Sequence, residues 1–406
     1  MRKASWVLLL LFVFAIPWEY SLDLGEPLGN VARMAGLLLL LVAIPAVLQA
    51  GRVRVPGALQ WVTMAFYLWL CCSYFWTIEP LATLDKMRAY FQETMIVWLV
   101  WEFAESPRDL RWLLRAYVAG SWVLAALTLA NFGSMAAIAA GQIRFVAYGQ
   151  DPNDVARYLD LGFPPAALLL SSEPHWPARL LAIGYLPLGL VAVMLTASRG
   201  GFLAALVALA GCGILLFRGH AKAVLAGAFA LPALAASLWF IAPHGTLARL
   251  ATIPEQIRSG DLNRRLDIWS AGWDAFTRAP LLGTGAGSFV SAAGLSSVDT
   301  AHNAVLSILV GGGLFALFLA VGIVALAARS AFKTQGPLKL ALVTTLLVWV
   351  LAAMVSTVEE SRTTWLLIAL IAVAGRLAVE EPAGLAACFP ISVRKGRLGV
   401  IPERGV

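Results

Sequence analysis

The chain is a succession of apolar runs separated by short polar breaks. The runs cover residues 4–18, 31–50, 58–76, 87–104, 111–132, 155–171, 179–196, 201–217, 223–242, 302–327, 339–356 and 363–380. A bilayer-spanning helix needs ~17–25 mostly apolar residues, so several runs sit near the short limit. The pattern predicts an all-α, polytopic integral membrane protein with about twelve transmembrane helices. Helices 1–9 then occupy residues 1–242, a long outer loop 243–301, helices 10–12 residues 302–380, and a tail 381–406. Met1-Arg2-Lys3 before an apolar run has the look of a signal peptide. No small-x-small cleavage site follows in "FAIPWEY", so the run is read as the first helix.

Composition agrees. The 406 residues are 60% hydrophobic and 13% charged, with a mean hydropathy of +0.80; soluble chains average about 25% charged. A net charge of +7 would suit nucleic acid. Here the basic residues lie in short loops between apolar runs, so topology accounts for them and no nucleic-acid partner is expected. Cys71, Cys72 and Cys212 fall in apolar runs and Cys388 in the tail; none pairs with histidine at metal-ligand spacing. No disulfide framework, metal site or cofactor is expected.

Charge sets the orientation. Even-numbered loops hold Arg52 and Arg54, Arg108 and Arg111, Arg179, Arg218 and Lys222, and Arg329, Lys333 and Lys339; the tail adds Arg394, Lys395 and Arg397. The first two odd-numbered loops, "WEYSLDLGEP" and "TIEPLATLD", are acidic. The positive-inside rule places both termini in the cytoplasm. Five of the six lysines then lie on that side.

The odd loops therefore face outward. Three are informative: residues 133–154, the bend at Ser198-Arg199-Gly200-Gly201, and residues 243–301. A loop of the last one's length is usually functional or disordered, and this one is not low-complexity. In "LDIWSAGWDAF", Leu266, Trp269, Trp273 and Phe276 share a helical face, predicting short helices along the membrane surface.

Arg33, Lys86, Arg88, Arg144, Arg157, Arg199, Arg249, Arg258, Arg264, Arg265, Arg278 and Arg362 fall on or near the outer side, and all but Lys86 are arginine. Arginine outnumbers lysine throughout the chain, and it snorkels from helix ends. Guanidinium is also the preferred partner of phosphate, because its planar fork donates two parallel hydrogen bonds. Arg199 stands out, lying beside two glycines between apolar runs, where a charge is costly. A lipid phosphate or pyrophosphate at headgroup depth would cover it.

His302 and Asn303 open the tenth helix. Its N-terminus carries about half a positive charge, which with nearby arginines should lower the histidine's pKa. A neutral imidazole accepts a proton from a hydroxyl. The alternative is a polar interfacial residue or cap, with Thr300 and Asn303 also available as caps. His175 and His220 lie in cytoplasmic loops and His244 at a helix end; they are assigned no role.

In "YGQDPNDVARYLDLGF", Asp151-Pro152 suits a helix N-cap and first turn, which leaves Asn153 free for a polar contact. Arg157 and Asp160 share a face at pairing distance. Glu93 lies at similar depth, near Arg88. "GTGAGSF" at 283–289 invites a nucleotide reading, but no Lys-Ser/Thr follows and no strand precedes it, so a turn-rich loop is expected.

Together these segments resemble the O-antigen ligase and O-antigen polymerase family of bacterial envelope proteins. The matching stretches are "DPND", "LTASRGGFLAAL", "RLDIWSAGWDAFTRAPLLGTGAGSF" and "HNAVLSILVGGGL", in order over residues 140–320, with "IPWEY" similar to the family's first outer loop. The resemblance implies an inverting, metal-independent glycosyl transfer at the periplasmic face of the inner membrane. The donor would be a glycan on undecaprenyl pyrophosphate, and the acceptor a hydroxyl of lipid A-core or of another glycan. It implies that Arg199 and Arg265 bind the pyrophosphate and His302 activates the acceptor. The position four residues before Trp269 favours Arg265 over Arg264. Arg264, Arg144, Asn153, Asn303, Arg157 and Arg88 complete the candidate substrate-binding set. One departure is "VGGG": the family often has an acidic residue near the position of Gly311.

The chemistry is coherent on its own terms. Departing pyrophosphate is an anion, and fixed positive donors stabilise charge as it develops. A glycan ligase is the leading reading, and a polymerase of the same family the alternative. A transporter or flippase of lipid-linked sugars is the reading from another class. Its ionisable groups would sit near mid-membrane, whereas here they cluster toward the outer edge.

Overall fold

The computed structural model describes residues 1–22, 24–25, 29–134, 141–217, 243–259, 264–296 and 299–390. These form an all-helical bundle, and among them nine helices are long and apolar enough to cross a membrane. The protein is thus a multi-pass membrane protein. The first five long helices are α1 (Arg2–Ala15), α2 (Val31–Ala50), α3 (Ala58–Cys72), α4 (Pro80–Phe103) and α5 (Pro107–Phe132). After them come α6 (Pro152–Asp160), α7 (Phe163–Ser172), α8 (Trp176–Leu195) and α9 (Arg199–Phe217). Four short helices follow: α10 (His244–Ala251), α11 (Ile253–Ser259), α12 (Arg265–Arg278) and α13 (Phe289–Ala292). The chain continues with α14 (Ala304–Lys333), α15 (Gly336–Ala353), α16 (Arg362–Glu380) and α17 (Pro382–Cys388).

Three predicted spans do not appear among the nine. The helix α4 is present but carries Asp85, Lys86, Arg88, Glu93 and Glu102, too many charges for a lipid-facing span. The run 155–171 is divided into α6 and α7. The run 223–242 lies outside the described residues, as do Arg218, His220, Lys222 and the tail arginines.

The α6–α7 division has a chemical cause. Pro164 and Pro165 have no N–H to give to the preceding turn. In the turn before them the Tyr117 hydroxyl donates to the Tyr158 carbonyl at 3.1 Å and the Tyr185 hydroxyl to the Leu159 carbonyl at 2.6 Å. Backbone interrupted inside a membrane protein persists only when other groups satisfy it in this way.

A second break lies within α14 at Gly313, whose φ of 69° is in the region that glycine tolerates. Neighbours fill the gap. Thr284 and Gly285 donate backbone N–H groups to the Val310 and Gly311 carbonyls at 2.8 and 3.0 Å, and Leu314 N–H reaches Pro280 O at 2.9 Å. The Trp69 indole donates to Gly312 O at 2.8 Å. This explains both glycine-rich stretches. A Cβ on Gly283 would sit 2.6 Å from Gly313 N, so "GTGAG" and "VGGG" are two backbones in contact.

The apolar core runs through the whole bundle. Its axis is α16, which packs against α4, α14 and α5 and buries 78% of its most apolar stretch. The helix α1 packs on α2 and α5. At Gly120 the α5 backbone meets the Phe14 carbonyl directly, with Pro17 Cδ 3.0 Å from where a Cβ would stand. Gly120→Ala is therefore expected to cost about 1–3 kcal/mol as an overpacked contact. The measurement is thermal unfolding of the purified protein in detergent; an unchanged midpoint would show that α1 and α5 separate at no cost.

Polar contacts sort the described loops to two ends. At one end Arg362 pairs with Glu19, Gln150 donates to Ser21 at 2.8 Å, Ile78 N–H to Thr284 O at 3.1 Å, and Phe145 N–H to Leu195 O at 2.8 Å. At the other end Arg2 pairs with Glu105, Arg54 N–H donates to Glu102 at 2.8 Å, and Arg115 grips Glu173. The candidate site lies at the first end.

Candidate functional site

Ser198 and Arg199 begin the site. Ser198 Oγ accepts the Gly201 N–H at 3.2 Å, capping the α9 N-terminus. The same hydroxyl donates to Asn153 Oδ1 at 2.8 Å. Asn153 itself is placed by the expected cap: Asp151 accepts its N–H at 2.8 Å and Pro152 opens α6. Arg144 Nη2 donates to Asn153 Oδ1 at 3.2 Å, and its Nε to Thr196 O at 3.1 Å. One hydrogen-bonded chain thus ties residues 144, 153, 196 and 198.

Arg199 reaches the outer loop. Its Nε donates to Arg249 O at 3.2 Å and its Nη1 to the Gln256 side chain. Arg249 returns a bond from Nε to Ala197 O at 3.3 Å. Thr246 Oγ1 donates to Ile143 O at 2.7 Å. These bonds fold α10 over the loops that carry Arg144 and Arg199.

Arg265 opens α12. This helix packs on the first turns of α14 through Ile268, Gly272 and Ala275, with Trp269 and Phe276 partly buried beside them. The Trp269 indole donates to Ala301 O at 3.1 Å, next to His302. On the shared face read from the sequence, Leu266 and Trp273 are half-exposed, while Trp269 and Phe276 are partly buried. The face that buries itself is centred one residue off, because Gly272 gives Leu306 and Phe289 room to approach.

His302 Nδ1 lies 3.2 Å from Thr300 Oγ1. Asn303 is the helix cap, accepting Leu306 N–H at 3.0 Å and donating to Met354 O at 3.4 Å. Burial first, and then the Arg265 charge, hold the His302 pKa below 6.5 against the opposing pull of Asp151, Asp299 and Asp154. Burial likewise lowers the pKa of Arg265, with Arg199 adding to it. For Arg144 the order is burial, then Arg249, with Arg199 and Arg265 contributing further. Arg144 thus lies within the fields of Arg249, Arg199 and Arg265, Arg265 within that of Arg199, and His302 within that of Arg265.

Among the described residues three non-glycine residues have positive φ: Ala197 at 48°, Arg264 at 60° and His302 at 46°. Arg264 directly precedes Arg265, His302 is itself in the site, and the Ala197 carbonyl accepts from Arg249. Side chains other than glycine occupy that region at a cost, and such residues cluster where function over-determines the backbone.

A small pocket of about 20 Å³ opens beside Arg265. Its lining includes Asn153, Ser198, Gly200 and Gly201 at the top and Arg157, Asp160 and Ala204 further along the helices. The expected Arg157–Asp160 pair is corrected: Arg157 Nη2 turns one helical step the other way, to Asp154 at 3.0 Å. Arg88 lies apart from the site, exposed and paired with Asp85 at 3.1 Å. Glu93 is buried away from it, among Lys86, Glu360 and Arg362. Arg264 is exposed, while Arg265 is half-buried and lines the pocket.

Sequence reasoning named Ser198 and Asp160 without giving them a site role, named Arg249 only as a basic residue, and passed over Gln256 and Ser356. Ser198 was readable as a serine directly before a helix start. Glu359 was also missed. It follows Val358, which packs on Ala304; burial and then Glu360 push its carboxyl up to about 8.

Fold and site together define a polytopic membrane protein with a cationic pocket at one end of its bundle. Residues 184–321 match the family model described as O-antigen ligase. That stretch holds Arg199, Arg249, Arg265 and His302, and supports assigning the chain to the O-antigen ligase and polymerase family of glycosyltransferase-like enzymes. No curated protein matches the chain.

Proposed function

We propose that the protein is a glycan ligase of the bacterial inner membrane. It moves a glycan from undecaprenyl pyrophosphate onto an acceptor hydroxyl, of lipid A-core or a similar glycan, at the periplasmic face. The observation that carries the reading is the docking of α12 on α14 through the Trp269–Ala301 bond, which brings the Arg265 charge to act on His302. The orientation rests on charge: Arg2, Arg54, Arg108, Arg111 and Arg115 belong to the opposite end, which the positive-inside rule assigns to the cytoplasm.

The chemistry follows from the groups present. With Nδ1–H donated to Thr300, Nε2 takes the acceptor's proton. The acceptor oxygen forms a bond to the anomeric carbon from the face opposite pyrophosphate, so configuration inverts. The carbon–oxygen bond to pyrophosphate breaks, and its electron pair leaves with the phosphate. Arg265, with Arg199 and Arg144 behind it, meets that charge in a partly dehydrated setting where fixed donors act strongly.

The test is reconstitution with a defined lipid-linked glycan, with and without lipid A-core. Glycan joined to lipid A-core is the expected product. Longer lipid-linked polymer made without any lipid A-core would replace the ligase reading with polymerase. Movement of the intact lipid-linked glycan between leaflets, with no transfer, would replace both with a flippase.

A further inference from the structure

We infer that a groove between α1, α5 and α8, at the end of the bundle opposite the site, holds one anionic phospholipid. Its acyl chains lie in the groove and its phosphate at Lys3 and Arg108. In the orientation proposed above this is a lipid of the cytoplasmic leaflet.

The groove has a volume of about 790 Å³, within the ~300–1,000 Å³ of small-ligand clefts. Small residues make the room. The helices α1 and α8 both pack on α5, and between them the α5 floor is Ala116 and Ala119. Leu11 and Phe14 of α1 form one wall and Leu181 of α8 the other. Beyond the floor the three helices close up. There Gly120 meets the Phe14 carbonyl, and the Trp122 indole donates to Leu181 O at 3.2 Å. The groove is thus apolar, closed toward the middle of the bundle, and polar at its mouth. The exposed side chains of Trp112 and Trp176 mark the mouth, since tryptophan favours the membrane–water boundary.

Charge at the mouth selects the lipid. Arg115 lines the groove, but its charge is matched by Glu173, whose carboxylate it grips from Nε at 2.8 Å. Glu105 pairs with Arg2, and Asp109 accepts the Glu105 and Ser106 N–H groups at 3.0 and 2.9 Å. The nearby carboxylates are therefore engaged. Lys3 and Arg108 are exposed, and neither pairs with a carboxylate among the described residues. Each stands four residues before a groove residue, Val7 on α1 and Trp112 on α5, and so shares its helical face. Two unpaired cations one turn beyond an apolar groove match a phosphodiester with net negative charge and the chains attached to it. Basic residues at the ends of spans recognise anionic headgroups in this way. A zwitterionic headgroup would bring a cation of its own to the same place.

The experiment titrates the delipidated full chain in detergent with phosphatidylglycerol and with phosphatidylcholine of the same chains, and reads bound lipid by native mass spectrometry. Wild type is expected to bind one phosphatidylglycerol about 25-fold more tightly than phosphatidylcholine, about fivefold for each cation. Lys3→Gln with Arg108→Gln should bring phosphatidylglycerol down to the phosphatidylcholine level. Ala119→Phe, which fills the floor without touching a charge, should weaken both lipids. Arg52→Gln with Lys333→Gln, which removes the same charge away from the groove, should change neither. Equal affinity of wild type for the two lipids, an equal loss in the Arg52/Lys333 pair, or unchanged binding by Ala119→Phe would overturn the inference. A wild-type dimer that Ala119→Phe converts to monomers, with lipid binding intact, would give the groove to a second copy of the chain instead. No arm measures glycan transfer, so the outcome is independent of the ligase reading.

Discussion

Replacing His302 by Asn is expected to lower kcat for glycan transfer by about 10²–10⁴-fold, the range of a lost general base. Donor affinity and thermal stability should stay at wild-type values. Asn is the informative replacement because the backbone at this position has a φ of 46°, which Asn tolerates better than most residues. The wild-type pH profile carries the second half of the prediction. A base must be neutral to act, and burial with Arg265 holds the His302 pKa below its ordinary 6.5. Activity should therefore persist at neutral pH and fall only as the pH drops through a midpoint below 6.5. Transfer at the wild-type rate in the variant, or an acid limb centred above 6.5, would remove His302 from the reaction.

Arg265→Lys is expected to lower kcat/KM by about 10²–10³-fold, as for other single donors to a developing negative charge. The charge survives the exchange, but the planar fork that matches a phosphate does not. Arg265→Gln adds an independent readout. It removes one of the two influences that depress the His302 pKa, so the acid limb of the residual activity should move to higher pH. Asp151→Asn should move it the other way, since Asp151 opposes that depression. Unchanged limbs in both variants would show that the imidazole and these charges do not communicate.

Much of this architecture was legible in the chain. The apolar runs located the helices because a lipid-facing helix has few alternatives to continuous hydrophobicity. Asp151-Pro152 gave the α6 start, since a cap and its first turn are local chemistry. What escaped the sequence was long-range. The run 155–171 reads as one helix because the tyrosines that accommodate its division, Tyr117 and Tyr185, come from other helices. Arg157 beside Asp160 satisfies a spacing rule, yet Asp154 is equally spaced and takes the ion pair. The face that α12 buries lies one residue off the apolar face the sequence shows, because Gly272 reads as a neutral position until Leu306 and Phe289 lie against it. "GTGAG" and "VGGG" could each be read as a loop or a departure from a pattern; only their mutual contact shows that each is small for the other's sake.

That contact has a mechanical consequence. Main-chain bonds from residues 280, 284 and 285 bolt the segment following α12 into the interrupted turn of α14. Arg265 and His302 are consequently mounted on a single chassis. Any widening of the entrance to admit a bulky lipid-borne glycan must occur along the opposite seam, where α10 leans on residues 143, 197 and 199 through a handful of bonds. The spacing between base and phosphate ligand would then be the same whether the entrance is open or shut.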